Sequence, residues 1–389
     1  MNKIKEAYTV FTPSRPIISQ ELFCGRQNEI ERLKDALFMG GRHALLYGDR
    51  GVGKTSLARQ ACRVAEMTFY THQCSSSDTF EIIAEDFLSS IGIEYRLTEE
   101  VSEKGSVNVA PLGIGAKADI EKSFSKKLSY APSNPSWVSK QLQNHECVLI
   151  IDEYDVISSS EEKTKISQLI KSLSDIDSKT KIIVVGIGTS AKDLLAGHES
   201  IVRCLEEVHL GRMNRDELSS ILDNAEGRLD ISIEDAVKEI ITKSSNGFPY
   251  FTHLLGLKTV IEALNKDKET VDMDDYHDGL AMALQSMDRS LQDSYTFAVG
   301  DRNNLIKRQL LYSVATSEDT EITTDQIKAL HYHEYKVPLE TVTINNNLSK
   351  AMGNDSTAML MRLRMGVYVF SNPLMPVYIR LLEKPPVSE

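Results

Sequence analysis

Gly48-Asp49-Arg50-Gly51-Val52-Gly53-Lys54-Thr55 sets three glycines, a lysine and a hydroxyl residue at the spacing G-x-x-x-x-G-K-[ST]. Glycines at these positions let backbone N–H groups turn inward on a polyphosphate, and the start of a following helix adds partial positive charge. In that geometry Lys54 reaches the β- and γ-phosphates and Thr55 holds Mg²⁺ through its hydroxyl. The phosphate-contacting set is therefore Gly48, Asp49, Arg50, Gly51, Val52, Gly53, Lys54, Thr55 and Ser56. A second group completes the chemistry. Val148-Leu149-Ile150-Ile151-Asp152-Glu153 reads as a buried strand ending in two carboxylates. Asp152 suits the Mg²⁺ shell, and Glu153 suits the general base that polarises a water for in-line attack.

Both groups need a strand to carry them. The short apolar run His43–Tyr47 ends in Gly48 and precedes a helical pattern over Lys54–Ala65, which is strand, loop, helix. A further strand is expected at Thr68–Thr71 and a helix at Asp78–Ile91. Cys147–Ile151 and Ile182–Val185 are continuous Val- and Ile-rich runs, the pattern of parallel strands buried on both faces. Upstream lie an extended lead-in, Phe11–Ile17, and an amphipathic helix over Gln27–Phe38. Residues 96–136 break the rhythm and read as an insertion built on a β-hairpin followed by a loop. From Asn214 onward the strands are expected to stop, with helices at Asp216–Asn224, Glu234–Lys243, Tyr250–Leu264 and Met273–Ala298. Three more helices follow, at Leu305–Val314, Thr324–His331 and Leu339–Met352. Two β-type runs around Arg364-Met365-Gly366 and a short terminal helix close the chain, the order of a winged helix.

This combination resembles AAA+ and STAND P-loop ATPases over nearly the whole chain. Phe23-Cys24-Gly25-Arg26-Gln27-Asn28-Glu29-Ile30-Glu31-Arg32-Leu33 is similar to the segment that precedes the P-loop in origin-recognition, or replication-initiator, ATPases. Asp152-Glu153-Tyr154-Asp155 is similar to the DE-x-D form of Walker B in that group. The resemblance implies ATP with Mg²⁺ as the cofactors and an adenine pocket bordered by the lead-in. It also implies a sensor at the end of Ile182–Gly188, for which Thr189 and Ser190 both qualify. Arg203 lies where related ATPases carry an arginine finger acting on a neighbouring subunit, so that role would require a homo-oligomer. Gly247-Phe248-Pro249 resembles the GxP motif of STAND and archaeal-type ATPases, whose proline packs on the adenine side. Tyr250 or His253 occupies the neighbourhood where many relatives have a sensor-2 arginine, and that departure points to a slow ATPase. The implied fold class is α/β: a P-loop core with a parallel sheet over 1–210, a helical lid over 211–300, and a winged-helix-like domain over 301–389.

Composition bounds the partners. The 389 residues carry 44 Lys and Arg against 56 Asp and Glu, a net charge of −12, which argues against coating nucleic acid over the whole surface. The section 302–384 differs, with ten basic against eight acidic residues and a net of +2. Asn345, Asn346, Asn347 and Lys350 on its third helix, with Arg362 and Arg364 on the wing, suit double-stranded DNA. The competing reading is a nucleotide switch that gates a separate effector protein, with no DNA contact. No apolar run reaches transmembrane length and Met1–Glu6 is unlike a signal peptide, so a cytoplasmic protein without a membrane partner is expected. Five scattered cysteines form neither a disulfide framework nor a zinc site, and His72 and Cys74 read as strand-edge residues.

Overall fold

The computed structural model describes residues 2–17, 19–93, 99–100, 127–128, 131–188, 199–300, 304–317, 319–352 and 358–383. Five strands form one parallel sheet: β1 (His43–Gly48), β2 (Phe69–Gln73), β5 (Val148–Asp152), β6 (Lys181–Gly186) and β7 (Leu205–Leu210), in the spatial order β2-β5-β6-β1-β7. Within the insertion, β3 (Glu99–Glu100) and β4 (Lys127–Leu128) pair antiparallel. The Ser106–Val109 part of the hairpin expectation lies outside the described residues.

Side-chain alternation divides the large sheet into two buried faces. Ala44, Leu46, Val148, Ile150, Ile183 and Val185 join α2 (Gln27–Phe38) and α3 (Lys54–Val64) in one apolar core. Leu45, Leu149, Ile151, Ile182 and Val184 point the other way, into α4 (Phe80–Ser90), α5 (Pro135–Leu142) and α6 (Ser160–Asp175). Because all five strands run the same way, the carboxyl ends of β1, β5 and β6 open on one edge. Ligands of open α/β sheets bind in the crevice there.

The chain differs from the sequence expectation in four places. A helix not among the expected elements, α1 (Asn2–Val10), precedes the lead-in, and its Ala7 and Val10 are buried with Phe11 in the first core. After the short α7 (Glu199–Val202) come α8 (Arg215–Leu229), α9 (Asp235–Ser245), α10 (Pro249–Asn265) and α11 (Met273–Ser286). Strands do not stop at Asn214, since β8 (Ser232–Ile233) and β9 (Thr270–Val271) pair in parallel between these helices. The helix expected over Met273–Ala298 is two, with α12 running Arg289–Val299. The chain turns extended at Met287, and Asp288 then caps α12 by accepting from Ser290 N at 2.9 Å.

The last section holds α13 (Leu305–Ala315), α14 (Thr324–Tyr335), α15 (Thr341–Leu348) and α16 (Met375–Glu383). Its sheet has three antiparallel strands, not two, because β10 (Ile322–Thr323) pairs with β12 (Val367–Phe370) beside β11 (Leu360–Arg364). Among the described residues no helix is long and apolar enough to cross a membrane.

Helices α10 and α11 pack closely, and Gly279 makes that possible. A Cβ there would sit 2.6 Å from the Thr259 backbone nitrogen and 2.7 Å from its Cα, atoms of a helix that cannot rotate away. Gly279→Ala is expected to cost about 1–3 kcal/mol by overpacking, read as a lower midpoint in urea unfolding. An unchanged midpoint would mean that the helices separate without strain.

Candidate nucleotide site

The loop from β1 to α3 takes a conformation that only its glycines allow. Gly51 and Gly53 have φ of 84° and 98°, and a Cβ on Gly48 would overlap the Leu210 carbonyl. Gly53 is the N-cap of α3 and supplies no side-chain acceptor, so the first-turn N–H groups stay open to a ligand. Lys54 curls back into the loop, its Nζ donating to Gly48 O at 3.0 Å and Asp49 O at 2.8 Å. Burial pulls its pKa below the ordinary lysine value, while Asp155, Asp152 and Asp49 act in the opposite direction.

Thr55 and Asp152 meet across the sheet edge. Thr55 Oγ1 donates to Asp152 Oδ2 at 2.8 Å, and Glu153 N donates to Asp152 Oδ1 at 3.0 Å. Asp152 is only 5% exposed, and burial raises its pKa, countered by the hydrogen bonds from Thr55 and Glu153. A buried carboxylate of this kind calls for a cation. Glu153 is exposed on the cavity wall, held in a left-handed conformation with φ 55° at the turn that follows β5. Asp155 braces that turn by accepting from Ile187 N at 2.7 Å, which ties the ends of β5 and β6 together.

These groups line a cavity of about 500 Å³, ample for a nucleotide. Its far wall is built by residues 12–17 of the lead-in together with Met213, Ile221, Pro249, Tyr250 and His253. Ile17 N donates to Ser56 Oγ at 3.2 Å, so the lead-in is fastened to the start of α3. His253 Nδ1 accepts from Thr12 N at 3.4 Å, and complete burial pushes the imidazole pKa down to about 4. The neutral ring therefore carries its proton on Nε2. That Nε2 and Thr12 Oγ1 are buried without a partner among the described residues, which suits the polar edge of a base. Glycine cradle, lysine, hydroxyl–carboxylate pair and unpartnered polar wall together fit ATP and Mg²⁺.

Arg26 holds the frame around this wall. It adopts φ 63°, its backbone N–H donates to Glu217 Oε1 at 3.0 Å, and its Nη2 donates to Gly211 O at 2.6 Å. Glu217 also closes a capping box with Asn214, so one carboxylate starts α8 and anchors the segment before α2. Pro249 is the first residue of α10 and stands 3.9 Å from where a Gly53 Cβ would be.

One expected residue stands apart. Arg203 is 71% exposed, pairs with Asp175 at 3.6 Å and is not on the cavity wall. Thr189 and Ser190 lie outside the described residues. Thr12, Met213 and Ile187 enter the site without any motif of their own. Only the Thr12-Pro13 break in the lead-in marks the first of them.

Residues 44–212 match the family model described as "ATPase family associated with various cellular activities (AAA)". Those residues are thus similar to an AAA ATPase domain, and the protein binds ATP with Mg²⁺ and hydrolyses it. No curated protein matches the chain in sequence. Among solved structures, a Walker-type ATPase of Pyrococcus abyssi is similar at 16% identity and a TM-score of 0.53, with 95% of this chain and 99% of that one covered. Cdc6p from Pyrobaculum aerophilum aligns at 13% identity and 0.48, covering 97% and 98%. The Aeropyrum pernix Orc1 protein in complex with DNA aligns at 15% identity and 0.47, covering 97% and 96%. The first of these shares the fold.

Lys54→Ala removes the one amine inside the loop and is expected to abolish ATP binding, measured by equilibrium binding of a fluorescent ATP analogue. Binding of wild-type strength by that variant would remove the loop from the site.

Proposed function

We propose that the protein is a slow, nucleotide-dependent switch that assembles into a homo-oligomer on ATP binding and acts on double-stranded DNA through its C-terminal section. In this reading residues 1–210 are the ATPase core, 211–300 a helical lid and 301–389 a winged-helix-like domain. Lys54 and the loop N–H groups hold the phosphates, Thr55 and Asp152 hold Mg²⁺, and Pro249 borders the base. Bound Mg²⁺ draws charge off the phosphate oxygens. Glu153 orients the attacking water and takes its proton, while Thr189 or Ser190 senses the γ-phosphate. Arg203 reaches the nucleotide of the neighbouring copy.

The observation that carries the switch is the seating of the C-terminal section on the phosphate loop. Leu374 lies against Gly51, with its Cδ2 3.0 Å from where a Cβ would be. Arg212 and Arg380 converge on the side-chain oxygen of Asn246 at 2.9 and 3.1 Å, with the amide oriented to accept from both. Arg212 also lies over the Phe248 ring at 4.6 Å. A ligand that reorders Gly51 or the 246–249 turn therefore acts directly on the C-terminal contact. For DNA, Asn346, Lys350, Arg362 and Arg364 are exposed, whereas Asn345 is turned inward to accept from Tyr368 OH at 2.8 Å and Asn347 donates to Thr343 O. The readout set is thus narrower than the asparagine run suggests. The same Leu374–Gly51 contact would serve the second reading, in which the released domain binds an effector protein instead.

Glu153→Gln is expected to bind ATP while hydrolysis falls about 10²–10⁴-fold. Mass photometry of that variant with ATP and Mg²⁺, with and without a short DNA duplex, is expected to show growth that needs ATP and is extended by DNA. A mass indifferent to both would contradict the oligomeric reading, and ATP-dependent growth indifferent to DNA would favour the effector reading.

A further inference from the structure

The end of β2 gathers three donors that the sequence leaves looking unrelated. His72 and Cys74 are two apart on an extended segment and so face the same side. Asp78, from the turn leading to α4, joins them, and the candidate ligand atoms of all three lie within 4.8 Å of one another. His72 Nε2 is 2.9 Å from Asp78 Oδ2. Its other nitrogen, Nδ1, is 2.7 Å from Asp86 Oδ2 on α4. Asp78 is positioned from behind by Ser75, whose N and Oγ donate to its two oxygens at 2.9 and 2.6 Å. Cys74 is 5% exposed, and its Sγ makes no hydrogen bond among the described residues.

From this geometry we infer that His72 Nε2, Cys74 Sγ and Asp78 form a three-ligand site for a zinc-class divalent ion, with Asp86 fixing the imidazole from its far nitrogen. Donor types decide the metal. Thiolate with imidazole selects zinc or cobalt over magnesium, which prefers oxygen alone. A tetrahedral ion at about 2.0–2.3 Å from each ligand separates its donors by roughly 3.3–3.8 Å. The three candidate ligand atoms lie within 4.8 Å of one another, and the 2.9 Å pair opens by less than about one ångström to reach the tetrahedral spacing. An imidazole with carboxylates on both nitrogens can donate to only one of them when neutral, and a metal on Nε2 resolves that conflict. Asp86 on Nδ1–H completes the carboxylate–histidine–metal arrangement that orients the ring. Water fills the fourth position.

The site would reach the nucleotide machinery through the backbone. Cys74 N donates to Asp152 O at 2.8 Å, and Gln73 pairs with Asp152 in the sheet. An ion at Cys74 therefore steadies the strand end that carries Asp152. This ion is distinct from the Mg²⁺ that the site expectation places on Thr55 and Asp152.

Titration of the chelator-treated full-length protein with Co²⁺ tests the site in the absence of nucleotide. Wild type is expected to develop a thiolate-to-cobalt charge-transfer band and the visible bands of a tetrahedral ion at one equivalent, displaced by Zn²⁺. Cys74→Ser should lose the charge-transfer band. Asp86→Asn, which leaves all three ligands in place and keeps the inference testable if the buried serine does not fold, should weaken Co²⁺ binding about 10–100-fold. No thiolate band at saturating Co²⁺, or a band of unchanged strength in both variants, would overturn the assignment.

Discussion

The hydrogen bond from Thr55 to Asp152 is the constraint on which the site depends. It joins the first turn of α3, which follows β1, to the last residue of β5, although β6 lies between those two strands. The bond can form only if the strands run parallel and end at the same edge, and only if the loop after β1 turns back over that edge. The glycines at 48, 51 and 53 permit that turn, and the two-sided burial of the sheet fixes the strand ends. Thr55 gives Asp152 a partner but no neutralising charge. Desolvation raises the pKa of this nearly buried carboxylate, and a metal ion there would supply the charge that Thr55 does not.

Around that pair, distant stretches of chain close the cavity. The lead-in is fastened through Ile17 to Ser56 and through Thr12 to His253. The turn at 246–249 brings Pro249 beside Gly53, and Leu374 of the last section covers Gly51. Each fastening lands on the phosphate loop or the wall facing it. Ligand binding at the loop would thus act on both of these stretches, as the proposed switch requires.

Much of this was legible in the residues. The loop at 48–55 and the carboxylates at 152 and 153 announce themselves because their chemistry demands particular types at particular spacings. The sheet was readable because strands buried on both faces are written as unbroken Val and Ile runs. Helix α1 is short, Asn2–Val10, and is held by burying Ala7, Val10 and Phe11 against helices distant in sequence, a partner that no local pattern names. Strand β10 escaped for the same reason: two residues become a strand only when β12 is alongside. The cavity wall facing the phosphate loop depends on contacts between residues some 240 positions apart, as with Thr12 and His253. The donor trio at His72, Cys74 and Asp78 is short-range in sequence, yet its meaning rests on Asp86 arriving from the next helix.

The most direct test of this account is the Mg²⁺-dependent phosphate release of Asp152→Asn measured against wild type. The amide keeps the size of the side chain and can still accept from Thr55, so the fold and the Thr55 contact persist while the charge is lost. The account requires the variant to remain folded and to lose about 100-fold or more of its ATPase rate. Hydrolysis at the wild-type rate would contradict the placement of the metal on this strand end.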